Sequence, residues 1–162
     1  MAKITLTMSK KSIYKHKKYW YHVSTTLKKK YVNLIPRDEH RSPNRDWKEP
    51  DGKRISVAPT IEQCITALPY HLSVTFTIYR TKNYVRANPP KNVFDSKITQ
   101  EGWLYEPTPF LRIGTLKFSD LEKGLGVMQI IEQSASLSEP RRSGKVLKWW
   151  KKAKIKRFVK IS

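Results

Sequence analysis

Residues 54–68, RISVAPTIEQCITAL, read as strand, turn and helix in immediate succession. Ile55 and Val57 alternate with Ser56 and Ala58, the period of two that suits a half-buried strand. Pro59 has no N–H for a strand ladder, so it stops that strand. Thr60 and Gln63 have the T-x-x-Q spacing of a capping box, in which the hydroxyl accepts from the Gln63 amide while the Gln63 side chain reaches back. Ile61, Cys64, Ile65 and Leu68 then recur at i, i+3, i+4 and i+7, one apolar stripe turned to a core. The spacing predicts a helix over 60–68 and places the single cysteine on its buried side, as a small apolar residue and not a nucleophile.

Outward from this unit, 162 residues suffice for one domain with a core of its own. No apolar run reaches the length of a membrane-spanning helix, and the N-terminus has no apolar signal segment, so the sequence predicts a cytoplasmic protein. One cysteine excludes an internal disulfide. The net charge of +20 is concentrated at the two ends. Residues 1–37 and 140–162 each carry ten Lys/Arg and no Asp/Glu, whereas 38–139 carry thirteen of each sign. Basic ends flanking a charge-neutral middle predict a polyanion as partner, DNA or RNA, through counterion release; an acidic protein is the other partner such charge would attract.

Along the chain, strands are predicted at 3–8, 19–24, 73–80, 102–105 and 110–118, with a shorter apolar stretch at 31–35. Residues 36–53 and 81–97 are Pro/Asn-rich connections, and 107–109 read as a turn. The stretch 127–131 is short and apolar and fits either strand or helix. Residues 139–144 read as loop and 145–152 as a basic helix with Val146, Trp149 and Trp150 on one side. Ile155, Val159 and Ile161 suggest a closing strand, which would merge the two basic ends if it paired near 3–8. The expected class is α+β, a mixed and strongly bent sheet with one main short helix at 60–68.

There is no P-loop, no G-x-G-x-x-G, no H-E-x-x-H and no paired C-x-x-C, and the four histidines lack metal-ligand spacing. What remains is an order of elements: Y-H-V-S at 21–24, R-I-S-V-A-P-T at 54–60, the strand at 73–80 and I-T-Q-E-G-W-L-Y-E-P-T at 98–108. This order resembles the ADP-ribosyltransferase-like fold, as found in small phage- and bacterium-encoded proteins with a Y-H-x-S, A-P-T-helix and T-x-E-x-W order. The resemblance covers roughly residues 19–118. It implies NAD as cofactor, with His22 at the adenosine ribose and Glu101 at the nicotinamide ribose. A carboxylate suits the latter role, because positive charge develops on the sugar as nicotinamide leaves. Tyr21, Ser24, Arg54, Ser56 and Thr60 would line the same site. Without the resemblance, His22 reads as a hydrogen-bonded strand histidine and Glu101 as a solvated turn carboxylate.

Aromatic residues interleaved with lysine form a second constellation. Lys10, Lys11, Lys17 and Lys18 accompany Tyr14, Tyr19, Trp20 and Tyr21. Lys148, Trp149, Lys151, Lys152, Lys154, Lys156 and Arg157 accompany Trp150 and Phe158. Phosphate neutralisation plus base stacking is how single strands are held without sequence reading, and a binder of nucleic acid or a nucleotide ligand without catalysis is the alternative function. Trp149 and Trp150 fit equally well as one exposed and one buried indole.

Overall fold

The structure, a computed structural model, describes residues 10–38, 52–66 and 74–162. The expected first strand at 3–8, Ser73 and Leu68 lie outside them, as does most of the connection at 36–53. The class is α+β, as expected. One sheet runs β1 (Tyr21–Ser24), β5 (Thr75–Thr81), β7 (Thr108–Lys117), β2 (Tyr31–Leu34), with β8 (Lys160–Ile161) also on β7. A smaller sheet runs β3 (Arg37–Asp38), β4 (Lys53–Val57), β6 (Gly102–Leu104). Every pairing among these strands is antiparallel, so the expected mixed sheet is corrected. A period of two reports burial, whereas strand direction is set by the connections, which it does not encode.

The expectation of one main helix at 60–68 is also corrected. In the described residues that element is α2, Ile61–Thr66, and the longest helix is α6, Glu139–Lys152. Residues 139–144 are its first turns and not a loop. Pro140 falls in the first turn, where no intrahelical N–H bond is lost, and the Ser143 hydroxyl donates to Asp95 Oδ2 at 2.7 Å in a buried pair. Shorter helices are α1 (Lys10–Lys15), α3 (Ser96–Thr99), α4 (Phe118–Leu125) and α5 (Val127–Ser134). Residues 127–131 are therefore helical, separated from α4 by Gly126 at φ 61°, a left-handed turn that glycine adopts without strain.

Two apolar cores flank β5. Phe76 and Ile78 join α2, α4, α5, α6 and Ile155 in the first; Tyr79 joins Trp20, Ile55, Val57, Ala87, Leu104 and Phe110 in the second. Thr108 and Pro109 are not a turn but the start of β7, paired with Leu34 and Asn33. A bulge follows further along β7. Ile78 faces Gly114 whereas Tyr79 faces Arg112, leaving Ile113 as the extra residue. That one residue inverts the alternation, so the same strand sends Leu116 into the first core and Phe110 into the second.

The C-terminal segment does close as a strand, on β7; the neighbourhood of 3–8 lies outside the described residues. Ile155–Phe158 form a 3-10 turn with Ile155 fully buried, and β8 pairs with Gly114 and Thr115. Because β5 occupies one edge of β7, β2 and β8 lie end to end along the other. Gly114 permits this: a Cβ there would run into the Lys160 carbonyl and the Val159 side chain.

Candidate functional site

Strand pairing decides what faces the cleft between the two sheets. His22 and Ser24 stand opposite Tyr79 and Thr77, on the side of the second core. Tyr21 and Val23 stand on the other side and pack on the first core. The backbone of Tyr21 exchanges bonds of 2.8 and 3.0 Å with Ala58, which ties β1 to the end of β4. Across this seam a cleft of about 220 Å³ is lined by His22, Arg37, Ser56, Gln63, Cys64, Thr99 and Glu101. A second hollow of about 140 Å³ adjoins it, sharing His22, Arg37 and Ser56 and adding Ser24 and Arg54.

Of the residues expected to bind a cofactor, Ser24, Arg54 and Ser56 thus border these hollows, together with His22 and Glu101. Tyr21 and Thr60 do not. Tyr21 is turned away by the strand's alternation. The Thr60 hydroxyl accepts the Gln63 N–H at 3.2 Å and donates to Gln63 Oε1 at 2.9 Å, so it belongs to the start of α2. The capping box is half realised: the Gln63 side chain reaches back to the Thr60 hydroxyl and not to its backbone N–H, while its Nε2 donates to the Ile98 carbonyl at 3.0 Å, anchoring α3 just before Glu101.

His22 Nδ1 lies 2.9 Å from the Ser56 carbonyl, an acceptor only, so Nδ1 carries the proton and the neutral ring keeps its lone pair on Nε2. Desolvation by burial and the Arg37 charge hold the imidazole below its ordinary pKa, against the opposing effect of the Ser56 bond. Glu101 is held from its own strand end. Trp103 Nε1 donates to Glu101 Oε1 at 2.8 Å, and the Arg54 guanidinium lies 4.0 Å over the Trp103 ring. Tyr14 donates to the Glu101 carbonyl at 2.6 Å, and burial, reinforced by the Glu101 charge, pushes its phenol up to about 12. Cys64 Sγ donates to the Tyr21 carbonyl at 2.9 Å; burial first, and Glu101 second, push its thiol up to about 12. At neutral pH the cleft therefore offers a neutral imidazole, a neutral thiol, an exposed arginine and a carboxylate fixed by an indole N–H. Among the described residues no group of three or more His, Cys, Asp or Glu is placed to hold a metal ion.

Sequence reading missed Arg37, Gln63 and Thr99 as cleft residues. Arg37 lay in the least regular segment, where no period marks a face. Trp103 was inside the quoted T-Q-E-G-W run, and its spacing of two from Glu101 was the available signal.

The basic residues fall into two surfaces. On α6, Val146, Leu147 and Trp150 are buried, while Arg141, Arg142, Lys145, Lys148, Lys151 and Lys152 are exposed. Lys154, Lys156 and Arg157 continue them, with Lys156 3.7 Å from Glu62. Trp149 is half-buried and packs edge-on against Trp150, centroids 5.1 Å apart. Trp150 is fully buried, so it is closed to base stacking. At the other end Lys17 is exposed, and Lys18 lays its ammonium 4.5 Å over the Trp20 ring, where desolvation lowers its pKa. Lys10 and Lys11 lie on α1. Among the described residues no helix is long and apolar enough to cross a membrane. No protein-family model, curated protein or solved structure matches this chain.

Proposed function

We propose that the chain is an ADP-ribosyltransferase-type enzyme that uses NAD to modify a macromolecule, such as nucleic acid or a protein bound to it. The observation that carries this reading is the convergence of His22, Ser56 and Glu101, distant in sequence, on one cleft of about 220 Å³. The donor set suits the dinucleotide. Arg37 provides a cation for the pyrophosphate, His22 Nε2 an acceptor for a ribose hydroxyl, and Glu101 a carboxylate for the sugar as positive charge grows on it. NAD supplies the ADP-ribosyl unit and nicotinamide as the leaving group. Trp103, stacked beneath Arg54, is a positioning residue that keeps the Glu101 carboxylate aimed from β6. The neutral Cys64 thiol is a wall of the site and not its nucleophile.

The test is NAD labelled in its adenylate half, incubated with the protein and, in turn, total cell protein, RNA or DNA. Expected is transfer of label that is lost in Glu101→Gln while the melting temperature is kept. Label persisting in that variant overturns the role of Glu101. NAD that raises the melting temperature but stays intact by chromatography leaves the non-catalytic binder, and no shift and no consumption refutes both for this cleft.

A further inference from the structure

Charge neutrality of the 38–139 segment conceals a local imbalance. Residues 74–94 hold Arg80, Lys82, Arg86 and Lys91 and no acid, and residues 10–37 likewise hold no acid. The fold fastens these two acid-free segments side by side. Lys18 and Val85 exchange two backbone bonds of 3.0 Å, the Thr81 amide donates to the Trp20 carbonyl at 2.9 Å, and the Trp20 amide donates to Thr81 Oγ1 at 3.1 Å. Trp20 Nε1 adds a bond to the Val85 carbonyl at 3.0 Å. Beside this seam, outside both cores, Tyr84 is 60% exposed and meets the Tyr19 ring with centroids 4.1 Å apart and planes 31° from parallel. The Arg80 guanidinium lies 4.1 Å over the same Tyr19 ring. Lys17, Lys82 and Arg86 are exposed around them.

We infer that this Tyr19–Tyr84–Arg80 platform holds single-stranded nucleic acid, a base stacking on Tyr84 while Lys17, Lys82 and Arg86 neutralise the adjoining phosphates. Three features point to this occupant. A tyrosine ring left in water next to a second ring, itself backed by a guanidinium, is a preorganised π-surface. The two segments that build it carry charge of one sign, which suits phosphate. An unstacked base offers the matching face, whereas bases inside a duplex do not. The seam holds the rings from the backbone, so no ordering of a loop opposes binding. An acidic peptide would satisfy the lysines and leave Tyr84 without a role. The inference is independent of the NAD reading, since none of these residues lines that cleft.

The experiment is fluorescence anisotropy with a labelled dodecamer of thymidine, its uridine counterpart, a duplex of the same length, and polyglutamate as competitor. Tyr84→Ala, a surface change that leaves both cores intact, is expected to weaken both single strands by about fivefold to 150-fold, the loss of one stacked base. Tyr84→Phe keeps the stacking face and should bind like the parent. Lys82→Glu should weaken single strand and duplex alike and flatten the salt dependence by about one to two phosphates. The DNA and RNA arms show which strand is preferred. Equal losses for single strand and duplex in Tyr84→Ala, no loss in that variant, or polyglutamate displacing the strand equally well from parent and variant would overturn the inference.

Discussion

Cys64 borders the candidate cleft, and its chemistry can be tested directly. The perturbation is a thiol-specific disulfide reagent added to the native protein at pH 7. An ordinary cysteine of pKa about 8.5 is about 3% thiolate at that pH. With the thiol pushed up to about 12, the native fraction is about one part in 100,000, so direct reaction should be about 3,000-fold slower than for the unfolded chain. Reaction through global unfolding is the competing route. At a stability of ~5 kcal/mol about one molecule in 5,000 is open, which makes the two routes comparable; at higher stability the direct route dominates. The two separate on adding sub-denaturing urea, which accelerates only the opening route. The assay is release of the chromophoric leaving thiolate, native against guanidinium-unfolded. The expected result is a native rate at least about 1,000-fold slower. A native rate within tenfold of the unfolded one would refute the neutral, donating thiol and reopen Cys64 as a nucleophile.

Other outcomes follow from the same geometry. His22 is held below its ordinary pKa, so the unfolded chain binds the extra proton first. Stability should be full above about pH 6.5 and fall as pH drops below it, and His22→Gln, which can still donate to the Ser56 carbonyl, should remove that slope in melting curves. Gly114→Ala should drive β8 off β7 and destabilise by about 1–3 kcal/mol, read as lost amide protection at Ser162, whose N–H donates to the Ile113 carbonyl. Deleting residues 140–162 should abolish folding, because Val146, Trp150 and Ile155 belong to the first core; α6 cannot be treated as a detachable arm. Reversing the exposed Lys145, Lys148 and Lys152 to Glu should instead leave the fold and reduce polyanion binding. If the parent neutralises about five phosphates, its log K should fall against log salt with slope near −4.5, roughly a 500-fold loss between 50 and 200 mM, and the reversed variant should be shallower.

Local structure was largely legible in the sequence. The alternation at Ile55 and Val57, the stripe through Ile61 and Ile65, and the strand around Phe76 and Ile78 are all found, because burial of one face leaves a period that one segment carries alone. What failed depended on distant partners. Thr108 and Pro109 read as turn residues, yet Leu34 and Asn33 draw them into the first two residues of β7, at the strand's start, where a missing N–H is best tolerated. Pro140 and Gly144 suggested a loop, yet Asp95 anchors Ser143 and the helix begins at residue 139. The candidate site divides in the same way. His22, Ser56 and Glu101 were named from the order of elements and do meet at a cleft, but Arg37 and Gln63 reach it by tertiary contacts that no local pattern announces. The charge imbalance around Tyr84 was averaged away, because it exists only once residues 17–21 and 80–86 lie together.

The extra residue in β7 has a consequence at the level of the gene. Loops ordinarily absorb the gain or loss of a codon, and strands absorb substitutions that keep polarity. Ile113 is an exception within a strand, since its neighbours Arg112 and Gly114 already face consecutive residues of β5 and it has no partner there. An in-frame deletion of its codon would join Arg112 to Gly114 and leave Phe110 and Leu116 five residues apart, still on opposite faces and still opposite Thr81 and Phe76. In a library of single-codon deletions, loss of the partly buried Ile113 should therefore be tolerated far better than loss of a residue from β5, which has no extra residue to give up.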